Sequence, residues 1–172
     1  MNVQDIREIY DYNYWANQKI LDAAEKVTPE QFAAPTDHSF VSLHGTLVHI
    51  LDTEWGWRTL LQGKGFTTDL KPENLPTVAD IRQRWHEDEE AMRAYVDSLR
   101  NEDLSGIIRY EIDGGVIRER VLWHCLYHVV NHGMQHRAEA AHLLTRYGQS
   151  PGDLDFTVYL NEMKARREQA RS

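Results

Sequence analysis

Residues 123–142 read WHCLYHVVNHGMQHRAEAAH, a helix-length segment that carries most of the chemical information in the chain. The segment contains five of the nine histidines, three of them at four-residue intervals: His128, His132 and His136. Its apolar residues recur with the period of an α-helix, which places these three side chains on successive turns. Neutral imidazoles ligate divalent metal ions. The segment therefore predicts a helix that contributes part of a metal site.

Helical geometry indicates which of these histidines face the protein interior. At about 100° per residue, His136 lies in the middle of the apolar stripe that includes Cys125 and Leu143. His132 lies about 40° away from that direction and His128 about 80° away. We therefore expect His132 and His136 to bind one ion together, and we expect His128 to lie beside the site or at the surface.

A third ligand has to come from a facing helix, because catalytic metal sites use about three protein ligands and structural zinc sites four. On the second amphipathic segment, His49 borders an apolar stripe that includes Ile50 and Trp57. Taken alone, such a histidine is more often a hydrogen-bonded core residue than a ligand. The other histidines are expected to be solvated: His38, His44, His86, His124 and His142.

The remaining sequence predicts an all-α architecture. Helical periodicity occurs in four long segments, and a shorter fifth one follows them. The expected helices cover residues 3–26, 42–62, 77–99, 119–147 and 153–167. Residues 105–120 predict a short β-hairpin around Asp113-Gly114-Gly115. We therefore expect one domain over residues 1–172, a four-helix bundle with the hairpin before its fourth helix and an extra C-terminal helix.

Charge and composition argue against several functional classes. The formal net charge of −8 opposes broad nucleic-acid binding. No apolar run approaches the ~18 residues that span a membrane, and no signal peptide is apparent. The single cysteine, Cys125, excludes an intrachain disulfide and is expected to be a small buried hydrophobe. These features favour a cytoplasmic protein.

Three motifs, taken together and in this order, resemble the DinB family. They are YNYWAN at 12–17, SLHGTLVHILDTEW at 42–55 and HVVNHGMQHR at 128–137. The resemblance covers essentially the whole chain, and it implies a homodimeric bundle with a divalent metal.

The family resemblance also implies a set of ligands. One histidine of the second helix and two of the fourth would bind the metal, which in this sequence are His49, His132 and His136. Family members often follow His-Arg with Gly-Gln, whereas this chain has Ala138 and Glu139. Glu139 could orient His132 or a metal-bound water, but we expect a surface carboxylate.

Three neutral imidazoles leave the charge of the metal uncompensated, which makes the ion a good Lewis acid. Nitrogen ligands accept zinc, nickel, iron or manganese, of which zinc and nickel are preferred here. Related bundles include thiol-dependent S-transferases, so the resemblance implies a transferase that joins a low-molecular-weight thiol to a small electrophile in detoxification or stress response. Four side chains are expected to shape its pocket, and the two amides among them need partners if buried. These are Asn13, Tyr14, Asn17 and Trp57.

Two alternatives stay open at this stage. A metal-dependent hydrolase would need a carboxylate base, for which the sequence offers Asp52, Glu54 and Glu139, none clearly on the ligand face. A non-catalytic dimeric metal-binding protein would need no such base. The sequence assigns no catalytic residue.

Overall fold

The computed structural model describes residues 1–37, 40–66, 70–112 and 114–170. Within those ranges it contains six α-helices and one two-stranded antiparallel sheet. In chain order the elements are α1 (Val3–Ala24), α2 (Pro29–Ala33), α3 (Leu43–Leu61), α4 (Val78–Ser98), β1 (Ile107–Ile112), β2 (Val116–Val121), α5 (Leu122–Arg146) and α6 (Phe156–Gln169). The predicted architecture is confirmed: α1, α3, α4 and α5 form the bundle, the hairpin precedes α5, and α6 is the extra helix.

Local sequence signals account for several of the helix ends. Thr77 caps α4, because its side chain accepts from the backbone N–H of Asp80 while the Asp80 carboxylate accepts from that of Thr77. Helix α5 ends at Arg146, one residue before the expected end, and the φ of 75° at Gly148 suits glycine just after a helix. It begins later than expected, since residues 119–121 continue β2. The short α2 was not expected from the sequence, although Thr28 caps it in the same way as Thr77 caps α4.

The packing of the helices places α5 between α1 and α3, while α4 contacts α1 and α3 on their other side. Two apolar clusters fill the space between them, one near Ile6 and Leu126 and the other near Ile20 and Leu47. Cys125 is buried in the first cluster, as expected. Among the described residues, no helix is long and apolar enough to cross a membrane.

The hairpin is supported by the helices. Half-buried Ile108 packs against the first apolar cluster, and the ring of Tyr110 lies 5.6 Å from that of Trp57 in α3. These contacts matter because an isolated two-stranded hairpin is marginally stable in water. Asp113, in the expected turn, lies outside the described residues.

Candidate metal centre

The three histidines singled out by the sequence meet between α3 and α5. One potential ligand atom from each of His49, His132 and His136 lies within 4.8 Å of the other two. The Nε2 atoms of His49 and His132 are 3.1 Å apart. Two nitrogens bound tetrahedrally to one zinc ion, with bonds of 2.0–2.1 Å, would be about 3.3 Å apart. The donor set and its spacing therefore fit one divalent ion.

Two of these imidazoles are neutral at physiological pH. Burial, reinforced by the nearby His136, lowers the pKa of His49 to about 4. Burial also lowers the pKa of His132 to about 4, with smaller contributions from its histidine neighbours. Because a histidine ligates metal only when neutral, neither ring has to lose a proton to bind a metal ion at pH 7.

The third imidazole, His136, is oriented by a carboxylate. Its Nδ1 lies 2.9 Å from Oε2 of Glu139, one turn further along α5. Since a carboxylate accepts, Nδ1 is the donor in this contact, and Nε2 is the ring nitrogen left to bind metal. The expectation that Glu139 is a surface carboxylate is wrong: its side chain is 22% exposed, and it contacts His136 rather than His132. The sequence placed Glu139 near the ligand face but could not indicate its partner.

One end of the site is covered by Phe40, which sequence reasoning missed. Its ring stacks on that of His49 with centroids 3.6 Å apart, and it meets His136 edge to face at 5.1 Å. The loop is tightly constrained here, since a Cβ on Gly45 would lie 2.1 Å from the Phe40 carbonyl oxygen. The next residue, Val41, has a φ of 67°, which β-branched residues rarely adopt. No periodic signal marks this loop in the sequence.

At the other end, aromatic rings continue away from the ligands. The ring of His128 lies 5.9 Å from that of His132 and 5.2 Å from that of Trp57. Trp57 in turn contacts Phe66 and Tyr110, each with ring centroids 5.6 Å apart. His128 is exposed, in agreement with a position beside the site.

A buried polar network links α1, α3, α4 and α5. Glu54 accepts hydrogen bonds from the amides of Asn13 at 2.8 Å and Asn17 at 3.1 Å, and from the indole of Trp85 at 2.8 Å. Arg137 donates to the amide oxygens of both asparagines, at 2.6 and 2.8 Å. Burial raises the pKa of Glu54, and these donors and the Arg137 charge oppose that rise. The network supplies the partners that the two buried asparagines require.

The network corrects the expected composition of the pocket. Of the four side chains named for it, Trp57 lies beside the histidines, through its contact with His128. Asn13 and Asn17 belong instead to the network. Tyr14 is buried against the ring of Tyr10, with centroids 6.0 Å apart. Periodicity shows that a residue faces inward, but it does not indicate which neighbouring helix that face meets.

The histidines expected to be solvated divide into three groups. Three are exposed: His86, His124 and His142. His44 is not: its Nε2 lies 2.8 Å from the carbonyl oxygen of Leu75, because the chain before α4 returns to the start of α3. His38 lies outside the described residues.

Comparison with known proteins agrees with the resemblance seen in the motifs. A model of the DinB family matches residues 1–169. The chain is 25% identical over 158 residues to Protein DinB of Bacillus subtilis (strain 168), which covers 89% of this chain and 92% of that protein. A crystal structure of a DinB-like protein from Bacillus cereus ATCC 10987 has a TM-score of 0.67 at 19% identity, covering 88% of this chain and 97% of that one.

Proposed function

Because the chain belongs to the DinB family, we propose that it is a divalent-metal-dependent S-transferase that joins a low-molecular-weight thiol to a small electrophile in detoxification or stress response. The observation that carries the proposal is the convergence of His49, His132 and His136 between α3 and α5. The family match supports a metal-binding protein, the choice of a thiol-dependent transferase comes from the resemblance to related bundles, and the donor set is compatible with it.

The donor set suits thiol activation. His49, His132 and His136 would bind a zinc or nickel ion through nitrogen, leaving a position for an external ligand. With no anionic ligand to reduce its charge, the bound ion would supply Lewis acidity that lowers the pKa of a thiol.

In the overall reaction, the thiol proton passes to solvent and the sulfur lone pair forms a bond to the electrophilic carbon. The leaving group departs with the electron pair of its former bond to that carbon. The chain contributes orientation and exclusion of water: Glu139 fixes the tautomer of His136, and Phe40 covers the rings of His49 and His136.

Hydrolysis is less well supported, because the three carboxylates available as a base are engaged elsewhere. Glu139 accepts from His136, and Glu54 is buried in the polar network. Asp52 accepts from the backbone N–H of Leu70 at 3.0 Å. In the transferase, a thiol bound to the ion would lose its proton without a carboxylate base.

The test is a conjugation assay with metal-free, zinc-loaded and nickel-loaded protein. The thiols would be glutathione, cysteine, bacillithiol and mycothiol, and monochlorobimane would serve as a fluorogenic electrophile. We expect metal-dependent product with at least one thiol and none above background with His132→Ala. The exposed His142→Ala variant is the matched control and should retain activity. Stoichiometric metal binding without turnover by any thiol would refute the transferase and favour a non-catalytic metal-binding protein.

We further propose that the protein is cytoplasmic, which its single cysteine favours, and that it is a homodimer, which the family resemblance implies. The hairpin exposes four apolar side chains that association could bury: Ile107, Ile112, Val116 and Ile117. Sedimentation equilibrium of the wild type and of Ile117→Lys would test both the dimer and this surface. A monomeric wild type would contradict the homodimer. An unchanged dimer in Ile117→Lys would contradict the hairpin as its contact surface.

A further inference from the structure

Three aromatic side chains from separate parts of the chain meet beside the histidines. Trp57 comes from α3, Phe66 from the segment after it and Tyr110 from β1. We call these three residues the aromatic cluster. The rings of Phe66 and Tyr110 both meet that of Trp57 close to edge to face, with interplanar angles of 83° and 75°.

The aromatic cluster lies at the edge of the bundle core, where Trp57 packs against the first apolar cluster and Phe66 reaches solvent. Phe66 is 44% exposed, and Trp57 and Tyr110 are half-buried. A contiguous group of exposed rings next to a polar site is typical of a ligand-binding surface. Packing of the bundle alone does not require Phe66 to lie there.

The cluster also lies where a substrate of the histidine site would extend. His49 of α3 faces His132 of α5, while Trp57, further along α3, faces His128, which is earlier in α5. The two helices therefore run antiparallel at this point, and His128 lies between the ligands and the cluster, with its ring 5.9 Å from that of His132 and 5.2 Å from that of Trp57. Phe40 packs on the rings of His49 and His136, at the end of the ligand set away from His128.

We propose that the aromatic cluster binds a planar apolar group, such as an aromatic ring, carried by the electrophile. The inference rests on the proposed function and specifies its substrate class. None of the three cluster side chains is charged, and additional rings pack favourably against them in edge-to-face or offset-stacked geometry. The reactive carbon of the same molecule would then lie near the histidines.

A matched pair of metal-binding probes separates this subsite from the metal site. Propanohydroxamate and 3-phenylpropanohydroxamate share a group that coordinates zinc and differ by one phenyl ring. We expect zinc-loaded wild-type protein to bind the phenyl compound about tenfold more tightly, as one well-packed ring warrants. Isothermal titration calorimetry measures both affinities.

Variants test whether the preference for the phenyl compound arises from the aromatic cluster. Trp57→Ala should reduce the ratio of the two affinities from about tenfold to about twofold, and it should leave zinc content and propanohydroxamate affinity unchanged. Tyr110→Thr, which keeps a residue of high β-propensity in β1, should also reduce the preference for the phenyl compound. The control is Trp55→Ala, because Trp55 lies on the same helix but packs against Arg84, 4.7 Å from its ring centroid. Thermal melts confirm that each variant is folded.

The outcomes distinguish the two proposals. Equal affinities for the two probes in the wild type, or an undiminished preference in both Trp57→Ala and Tyr110→Thr, would overturn the subsite while leaving the metal site intact. Failure of the wild type to take up either zinc or nickel would refute the proposed function and the subsite together.

Discussion

The contact between Glu139 and His136 gives the sharpest quantitative prediction. Removing the carboxylate with Glu139→Ala deletes the 2.9 Å hydrogen bond that fixes the tautomer and orientation of the His136 ring. Loss of such a partner typically weakens metal binding 10- to 100-fold, equivalent to about 1.4–2.7 kcal/mol. Glu139→Gln keeps an acceptor but loses its charge, so it should cost about half that free energy.

Competition of the metal-free protein with a chromophoric zinc chelator at pH 7.5 measures both effects. Glu90→Ala is the matched control, because Glu90 faces His86 on the exposed surface of α4 and should not affect zinc affinity. Equal affinities for wild type and Glu139→Ala, in variants of equal thermal stability, would refute the role given to Glu139. If Glu139→Gln weakens zinc binding as much as Glu139→Ala does, the charge of the carboxylate, rather than its ability to accept a hydrogen bond, supports the metal site.

Two further predictions concern stability. The folded-state pKa values of His49 and His132 are about 4, below the unfolded value of about 6.5. The stability that these two neutral rings contribute to the metal-free protein should therefore be complete above pH 6.5 and be lost progressively towards pH 4. Thermal melts at stepped pH check this, and a flat melting temperature across that window would contradict it. Gly133→Ala should lower the urea midpoint, since its Cβ would lie 2.6 Å from Nη1 of Arg137 and 3.2 Å from Oδ1 of Asn13. We expect overpacking of about 1–3 kcal/mol to exceed the gain of about 1 kcal/mol in helix propensity; an unchanged or higher midpoint would mean that the guanidinium can move away.

The sequence predicted the features that depend on the regular period of a helix. Helix α5 is long enough for its apolar stripe to identify His132 and His136 as inward-facing, and the stripe of α3 did the same for His49. Local side-chain chemistry also accounts for the capping box at Thr77 and for glycine at position 148, just after α5.

The remaining features depend on contacts between distant segments. Phe40 reaches the histidines from an irregular loop, so no period indicates its position. Arg137 is charged, so its sequence position alone would predict an exposed side chain. It is buried because Asn13 and Asn17 of another helix accept its hydrogen bonds. The orientation of Glu139 depends on the ring of His136, which helical angle alone does not specify.

The central claim is that three imidazoles from two helices bind one metal ion, and elemental analysis tests it most directly. Protein purified from zinc- and nickel-supplemented cultures should contain close to one divalent ion per chain, and His49→Ala, His132→Ala and His136→Ala should each lose most of it. Retention of stoichiometric metal by His136→Ala, or its loss from the His142→Ala control, would contradict the assignment.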